Sequence, residues 1–287
     1  MRIVFSVGGL LAFIFLLAAV PLSITIIDGN LSISLQTIVD LVKSYLNGLL
    51  NGDSFTYQEG KSRTYSFLKD VSAYFFTSLR YLLLAGILAV VIGMLISAWY
   101  SKSKKEWIKD IIGFLGTIPD FILVFFLQLG VVFIYKSTGL KIARVASLSA
   151  DENAYLLPLI TLTIIPAIYL IRTLSERTYD VLSDDYILTA KAKGLKKRYI
   201  HIHHVVRNVL PFLKADLHKV LAIMMSNLFI VEYLFNIRGL TTILFGGTLY
   251  QFNLTVNTLI ALVFLYLIIY WSIRLLILLL ERVFAHD

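Results

Sequence analysis

Cysteine is absent from the 287 residues, which excludes a disulfide framework and thiolate metal sites and says nothing of compartment. Charge is scarce: Asp, Glu, Lys and Arg make up 15% of the chain, against about 25% in a soluble domain. Hydrophobic residues fill 58% and the mean hydropathy is +0.81. A water-soluble globular enzyme and a disordered chain are both excluded, leaving a polytopic membrane protein. No low-complexity tract or obvious internal repeat occurs. Neither an H-E-x-x-H pair nor a Ser/His/Asp constellation is apparent, which argues against an intramembrane enzyme. G-x-x-x-x-G-K-[ST] is missing too, so any nucleotide hydrolysis must come from another chain.

What is present is a series of long apolar runs. A helix needs about 20 mostly apolar residues to cross ~30 Å of hydrocarbon. Six segments qualify: Ile3–Ile27, Leu79–Tyr100, Ile111–Tyr135, Tyr155–Leu174, Ala215–Phe235 and Thr258–Leu280. The fifth is the weakest, because its first turn carries Asp216, His218 and Lys219. The first is longer than a signal h-region and lacks a clean cleavage site, so it is expected to stay as an anchor.

The formal charge of +8 has its basic residues unevenly placed. Loop 101–110 holds four lysines, and loop 175–214 holds eight basic residues, among them Lys191, Lys193, Lys196, Lys197 and Arg198. The opposite side has four in 28–78, three in 136–154 and Arg238 alone in 236–257. Per residue the excess marks loops two and four as cytoplasmic, which places both termini there. The expected fold class is an all-α polytopic protein, 1–287 forming a single membrane domain.

Two segments outside the spans carry pattern. In the external stretch 28–78, Leu35, Ile38, Val39, Val42, Leu46 and Leu49 recur at helical spacing. They suit either an amphipathic helix on the membrane surface or a helix packed in a small subdomain. In the cytoplasmic loop 175–214, Asp184-Asp185 offers a cap for a helix starting near Tyr186. Tyr186, Ala190 and Gly194 then share one face that is shallow enough for close approach of another backbone, and Gly194 can end the helix in the left-handed region. A second helical stretch is expected from Lys196 to about Val209, stopped or bent by Pro211.

The runs Asp185-Tyr186-Ile187-Leu188-Thr189-Ala190-Lys191-Ala192-Lys193-Gly194-Leu195 and His204-Val205-Val206-Arg207-Asn208-Val209-Leu210-Pro211 resemble the cytoplasmic "EAA" loop of ABC-transporter permeases. More narrowly they are similar to the dipeptide/oligopeptide/nickel branch. Gly52-Asp53-Ser54, Thr77-Ser78-Leu79, Ile118-Pro119-Asp120-Phe121, Leu156-Leu157-Pro158, Arg172 with Asp180-Val181-Leu182, and Val231-Glu232 with Phe235 match its other motifs in order. The chain departs from that branch in Arg238-Gly239-Leu240-Thr241, which replaces a PGxG, and in lacking external PGDP and closing DPR segments. Leu188 stands at the acidic position of the motif, and the gap from Asn208 to Pro211 is one residue short. These departures bear on the external gate and the substrate class.

The resemblance implies a type I ABC importer permease fold in a bacterial plasma (inner) membrane, multi-pass. Its partners would be a second homologous permease chain, two ABC ATPase subunits, an extracytoplasmic substrate-binding protein and membrane lipids. No cofactor is expected in this chain, since ATP and Mg belong to the ATPases. Asp185, Tyr186, Ala190, Gly194 and Leu195 would carry ATPase coupling; Asp120, Gln128, Asn227 and Glu232 form a candidate pathway set. Asp120, read as ten residues into span three, could line the pathway or accept a bond from a neighbouring helix. Glu232 is read as a structural or gating contact, with Arg238 as one partner, and Arg172 with Glu176 as a helix-end ion pair. His201, His203 and His204 do not share one helical face and lack a nearby carboxylate, so no metal site is expected. Nucleic-acid binding is not expected either, since the basic cluster has no aromatic platform beyond Tyr199. Rival readings are a stand-alone secondary transporter or channel, and an ABC exporter permease. Against the first, the spans lack charges paired between two inverted halves.

Overall fold

Lipid offers no partners to backbone N–H and C=O groups, so a chain this apolar must satisfy them inside helices. A computed structural model describes residues 2–27, 30–59, 63–100, 106–148, 153–196, 199–200, 205–245 and 250–285. In order these form α1 (Arg2–Ser23), β1 (Ile24–Ile27), β2 (Asn30–Ile33), α2 (Leu35–Asn51), a 3₁₀ turn (Asp53–Phe55), β3 (Thr56–Glu59), β4 (Arg63–Ser66), α3 (Phe67–Tyr100), α4 (Glu106–Leu115), α5 (Asp120–Thr138), α6 (Leu156–Ser183), α7 (Asp185–Ala192), α8 (Arg207–Leu234), α9 (Leu240–Phe245) and α10 (Phe252–Ala285). Among the described residues six helices, α1, α3, α5, α6, α8 and α10, are long and apolar enough to cross a membrane.

Several expected boundaries move, and three of the differences have a local reason. The first span ends at Ser23, not Ile27, because Ile24-Thr25-Ile26-Ile27 is β-branched and pairs antiparallel with Asn30–Ile33. The third breaks into α4 and α5. Pro119 has no N–H to give to a continuing helix and disfavours helical backbone at Ile118, so α5 restarts with Pro119 as its N-cap. Pro211, by contrast, does not stop its helix. It lies in the second turn of α8, one turn after a wider π-type turn at 205–206. Of the expected 196–209 stretch, residues 197, 198 and 201–204, with His201, His203 and His204, lie outside the described residues.

The chain divides into two compact units, residues 1–77 with 239–265, and 78–238 with 266–287. The core of the first gathers Ile14, Ala18 and Ala19 of α1, Tyr45 of α2, and Phe252 and Val256 of α10. Inside it Tyr45 Oη donates to Asn257 Oδ1 (2.6 Å), Asn257 Nδ2 to the Ser54 carbonyl (2.7 Å) and Ser54 Oγ to the Tyr45 carbonyl (2.6 Å). This closed polar ring fixes α2 to α10. Burial pushes the Tyr45 phenol above its ordinary pKa. Of the expected stripe of α2, Ile38 and Val42 pack inward with Leu41, while Leu35, Val39, Leu46 and Leu49 stay exposed.

In the second unit α6 packs most extensively on α8. Leu162, Leu170 and Leu174 on one side, and Leu210, Leu213, Leu217, Leu221, Met224 and Leu228 on the other, are fully buried. The spacing of the second set, every three or four residues, is the stripe of a helix packed along its length. Gly93 of α3 lets this pair be approached closely: a Cβ there would lie 2.8 Å from Leu170 Cβ. At Gly86 the nearest atom to an added Cβ is the flexible tip of Ile273, at 2.6 Å. Gly93→Ala is therefore expected to cost about 1–3 kcal/mol by overpacking and Gly86→Ala less, because a side-chain end yields where a Cβ cannot. Thermal unfolding of the two variants in one detergent checks the order.

Candidate functional site

The segment after α6 is folded on itself. α6 ends at Ser183, and Asp184 turns extended (φ −68°, ψ 147°) to begin α7; its side chain makes no capping bond, and its carbonyl accepts from Ile187 N instead. Ile187 and Ala190 bury against Ile200, with Leu182 alongside. Ala190, expected on a free face with Tyr186 and Gly194, thus turns inward, because the apolar side of this short helix is needed to hold the loop together. Asp185, Tyr186, Leu188, Lys191, Gly194 and Leu195 are exposed.

The end of α7 is as expected. Gly194 takes φ +78°, with Gly194 N on the Lys191 carbonyl (3.0 Å) and Leu195 N on the Ala190 carbonyl (3.3 Å). These two bonds satisfy carbonyls that a helix end leaves open, and the left-handed residue between them disfavours any side chain. Asn208 Nδ2 donates to Tyr186 Oη at 2.6 Å, tying α7 to the start of α8. Desolvation, then the nearby Asp184 charge, push the Tyr186 phenol up against the lowering effect of Asn208, so it is a neutral hydroxyl at physiological pH. Arg172 and Glu176 form no ion pair among the described residues; Arg177 meets Asp180 at 3.6 Å and stacks on Phe212.

At the far end of α8 the last carbonyls all find donors. Phe235 N reaches the Val231 carbonyl, Ile237 N that of Glu232, Asn236 N that of Tyr233, Gln128 Nε2 that of Leu234, and Ser147 N that of Phe235. Gln128 Nε2 also donates to the Val145 carbonyl (2.9 Å), and Asn236 Nδ2 to that of Ser147 (2.9 Å). Ala154 N donates to Ser147 Oγ, and Tyr81 Oη to the Ala154 carbonyl at 2.6 Å. The buried Glu232 carboxylate accepts from Ser78 Oγ of α3. A buried helix terminus demands such partners, and meeting the demand joins α3, α5, the 139–155 connection and α8 in one polar layer.

The four pathway candidates therefore separate. Gln128 and Glu232 belong to this layer. Asp120, expected about 15 Å inside a continuous span, instead opens α5 beside Pro119. Asn227 is buried within α8, and neither atom of its amide has a partner among the described residues. Sequence reasoning missed Ser147, Asn236 and Tyr81, which sit in no motif; Ser78 and Asn208 lay inside quoted motifs without an assigned role. A crevice lined by Met94, Leu174, Thr178, Val209 and Leu213 holds about 20 Å³, room for about one water. Among the described residues no group of three or more His, Asp or Glu is placed to hold a metal.

Glu232→Ala removes the acceptor of a buried hydroxyl and is expected to destabilise the protein by about 1–3 kcal/mol. Glu232→Gln keeps a carbonyl acceptor and should cost less. Unfolding midpoints of both variants test this.

Comparison with known proteins places the chain. The family model for the binding-protein-dependent transport system inner membrane component matches residues 89–286. The metal-staphylopine import system permease protein CntB of Staphylococcus aureus is 24% identical over 204 residues, covering 70% of this chain and 63% of that protein. The dipeptide transport system permease protein DppB of Lactococcus lactis is 25% identical over 158 residues, covering 54% of this chain and 50% of that protein. The chain thus spans less than two thirds of these relatives' length. A chain of the MetNI methionine ABC transporter in inward-facing form shares the fold, with a TM-score of 0.57 at 15% identity, over 74% of this chain and 97% of that one. Six apolar helices and this similarity make the protein a multi-pass component of the cell membrane. The chain belongs to the family of binding-protein-dependent transport system inner membrane components.

Proposed function

We propose that the chain is the membrane subunit of an ATP-driven importer for peptides or a related small solute. A second permease chain completes the pathway, an external binding protein delivers the solute, and two separate ATPases dock on the 185–211 segment. The observation that carries this reading is the self-supported α7 with its outward face of Asp185, Tyr186, Leu188, Gly194 and Leu195. Its inward face packs on Leu182 of α6 and on Ile200, Tyr186 of the outward face ties it to Asn208 of α8, and the rest of the outward face is exposed for a partner. The names of the relatives, dipeptide and metal-staphylopine permeases, support the solute class. Asn227 is the pathway residue of choice, because its buried amide has no partner among the described residues.

Copurification with an ATPase is the expected outcome for the full chain. Gly194→Glu imposes a side chain on a left-handed residue at the docking face. It should abolish transport-coupled hydrolysis while membrane insertion persists; full activity would sink the docking assignment. The chain has no native cysteine, so orientation can be read without background. Cysteine placed at Lys193 should react with an impermeant maleimide only in inside-out vesicles, and cysteine placed at Asn51 only from outside intact cells.

A further inference from the structure

Arg274 sits in the apolar run of α10, seven residues or about 10 Å before Glu281, where an ion pair with Lys214 (3.5 Å) marks the return of charge. Among the described residues no carboxylate lies within ion-pair distance of it. Its guanidinium is held by aromatic rings instead, 5.6 Å from the Tyr270 centroid and 5.2 Å from that of Trp271, and its Nη1 donates to Tyr270 Oη at 2.8 Å. His218 of α8 extends the array, stacked 4.6 Å from Tyr270 with Nδ1 2.6 Å from Tyr266 Oη. Trp271 and His218 are exposed, and Arg274 and Tyr270 partly so.

A cation inside hydrocarbon is costly unless it meets an anion or reaches the interface. Here one of five guanidinium N–H groups is used by Tyr270. Tyr270 Oη accepts that bond, so its own O–H remains to donate. The rings fix the guanidinium plane, and an indole and phenols are the side chains that suit the headgroup boundary. We propose that Arg274, Tyr270 and Trp271 form a binding site for the phosphate of an anionic phospholipid on the α8–α10 face. The acyl chains would run from Arg274 toward the middle of the span along α10, where Leu267 and Ile268 are bare. Glu281, about 10 Å further along α10, is paired with Lys214 at 3.5 Å, which offsets its repulsion of a headgroup.

The test uses the full chain with Trp99→Phe and Trp107→Phe, which leaves Trp271 as the one indole of the three in the sequence. It is reconstituted in phosphatidylcholine nanodiscs with a minor share of brominated-acyl phosphatidylglycerol or brominated-acyl phosphatidylcholine. Phosphatidylglycerol should quench Trp271 at about fivefold lower mole fraction, the preference that one cation near the surface provides. Arg274→Gln should reduce that preference to near unity, while Lys191→Gln with Lys193→Gln in the loop leaves it. Equal quenching by the two lipids overturns the site, whether or not the Arg274 variant inserts. A preference that survives Arg274→Gln overturns it as well.

Discussion

The packing of α6 on α8 is the interaction on which the second unit depends. Two helices of 28 residues, each about 42 Å long, bury a continuous leucine stripe between them. α7 is the link between these same two helices. It is anchored at its root by Ile187, Ala190 and Ile200, and along its exposed side by the Tyr186–Asn208 bond. A displacement imposed on α7 cannot be absorbed locally without breaking those contacts. Under the proposed docking it would be passed to the helix pair, because close-packed interiors transmit strain.

At the other end the same helix pair is tied down by hydrogen bonds. The final turn of α8 would bury open carbonyls, and Gln128, Ser147 and Ile237 supply the missing donors. Ser78 on Glu232 and Tyr81 on Ala154 bring α3 into that layer. Fully satisfied networks of this kind rigidify the part of the fold that holds them.

The six spans were legible because about 20 apolar residues in a row have few other uses. The end of α7 was legible because Gly194 carries a local rule for left-handed backbone at a helix terminus. What failed was anything decided by three-dimensional company. Ala190 faces inward because a helix of eight residues has one apolar side and the loop core needs it. Asp120 moved from mid-span to a helix start because Pro119 outweighed the apolar run around it. Ser147 and Asn236 gained roles through partners about 90 residues apart in sequence, a separation that no local pattern reports. Arg274 lacked a legible partner because rings, rather than a carboxylate, hold it.

The docking of a separate ATPase on α7 is most directly measured by site-specific cross-linking in membranes containing the whole transporter. Leu188 is exposed on α7 and Ile187, one residue before it, is fully buried. Single cysteines at these two positions, introduced into a chain that has none, differ only in the face they present. The expected result is an adduct between the ATPase and the cysteine at 188, dependent on the nucleotide state, with little or none from 187. No ATPase adduct from 188, or equal yields from both positions, would contradict docking on this face.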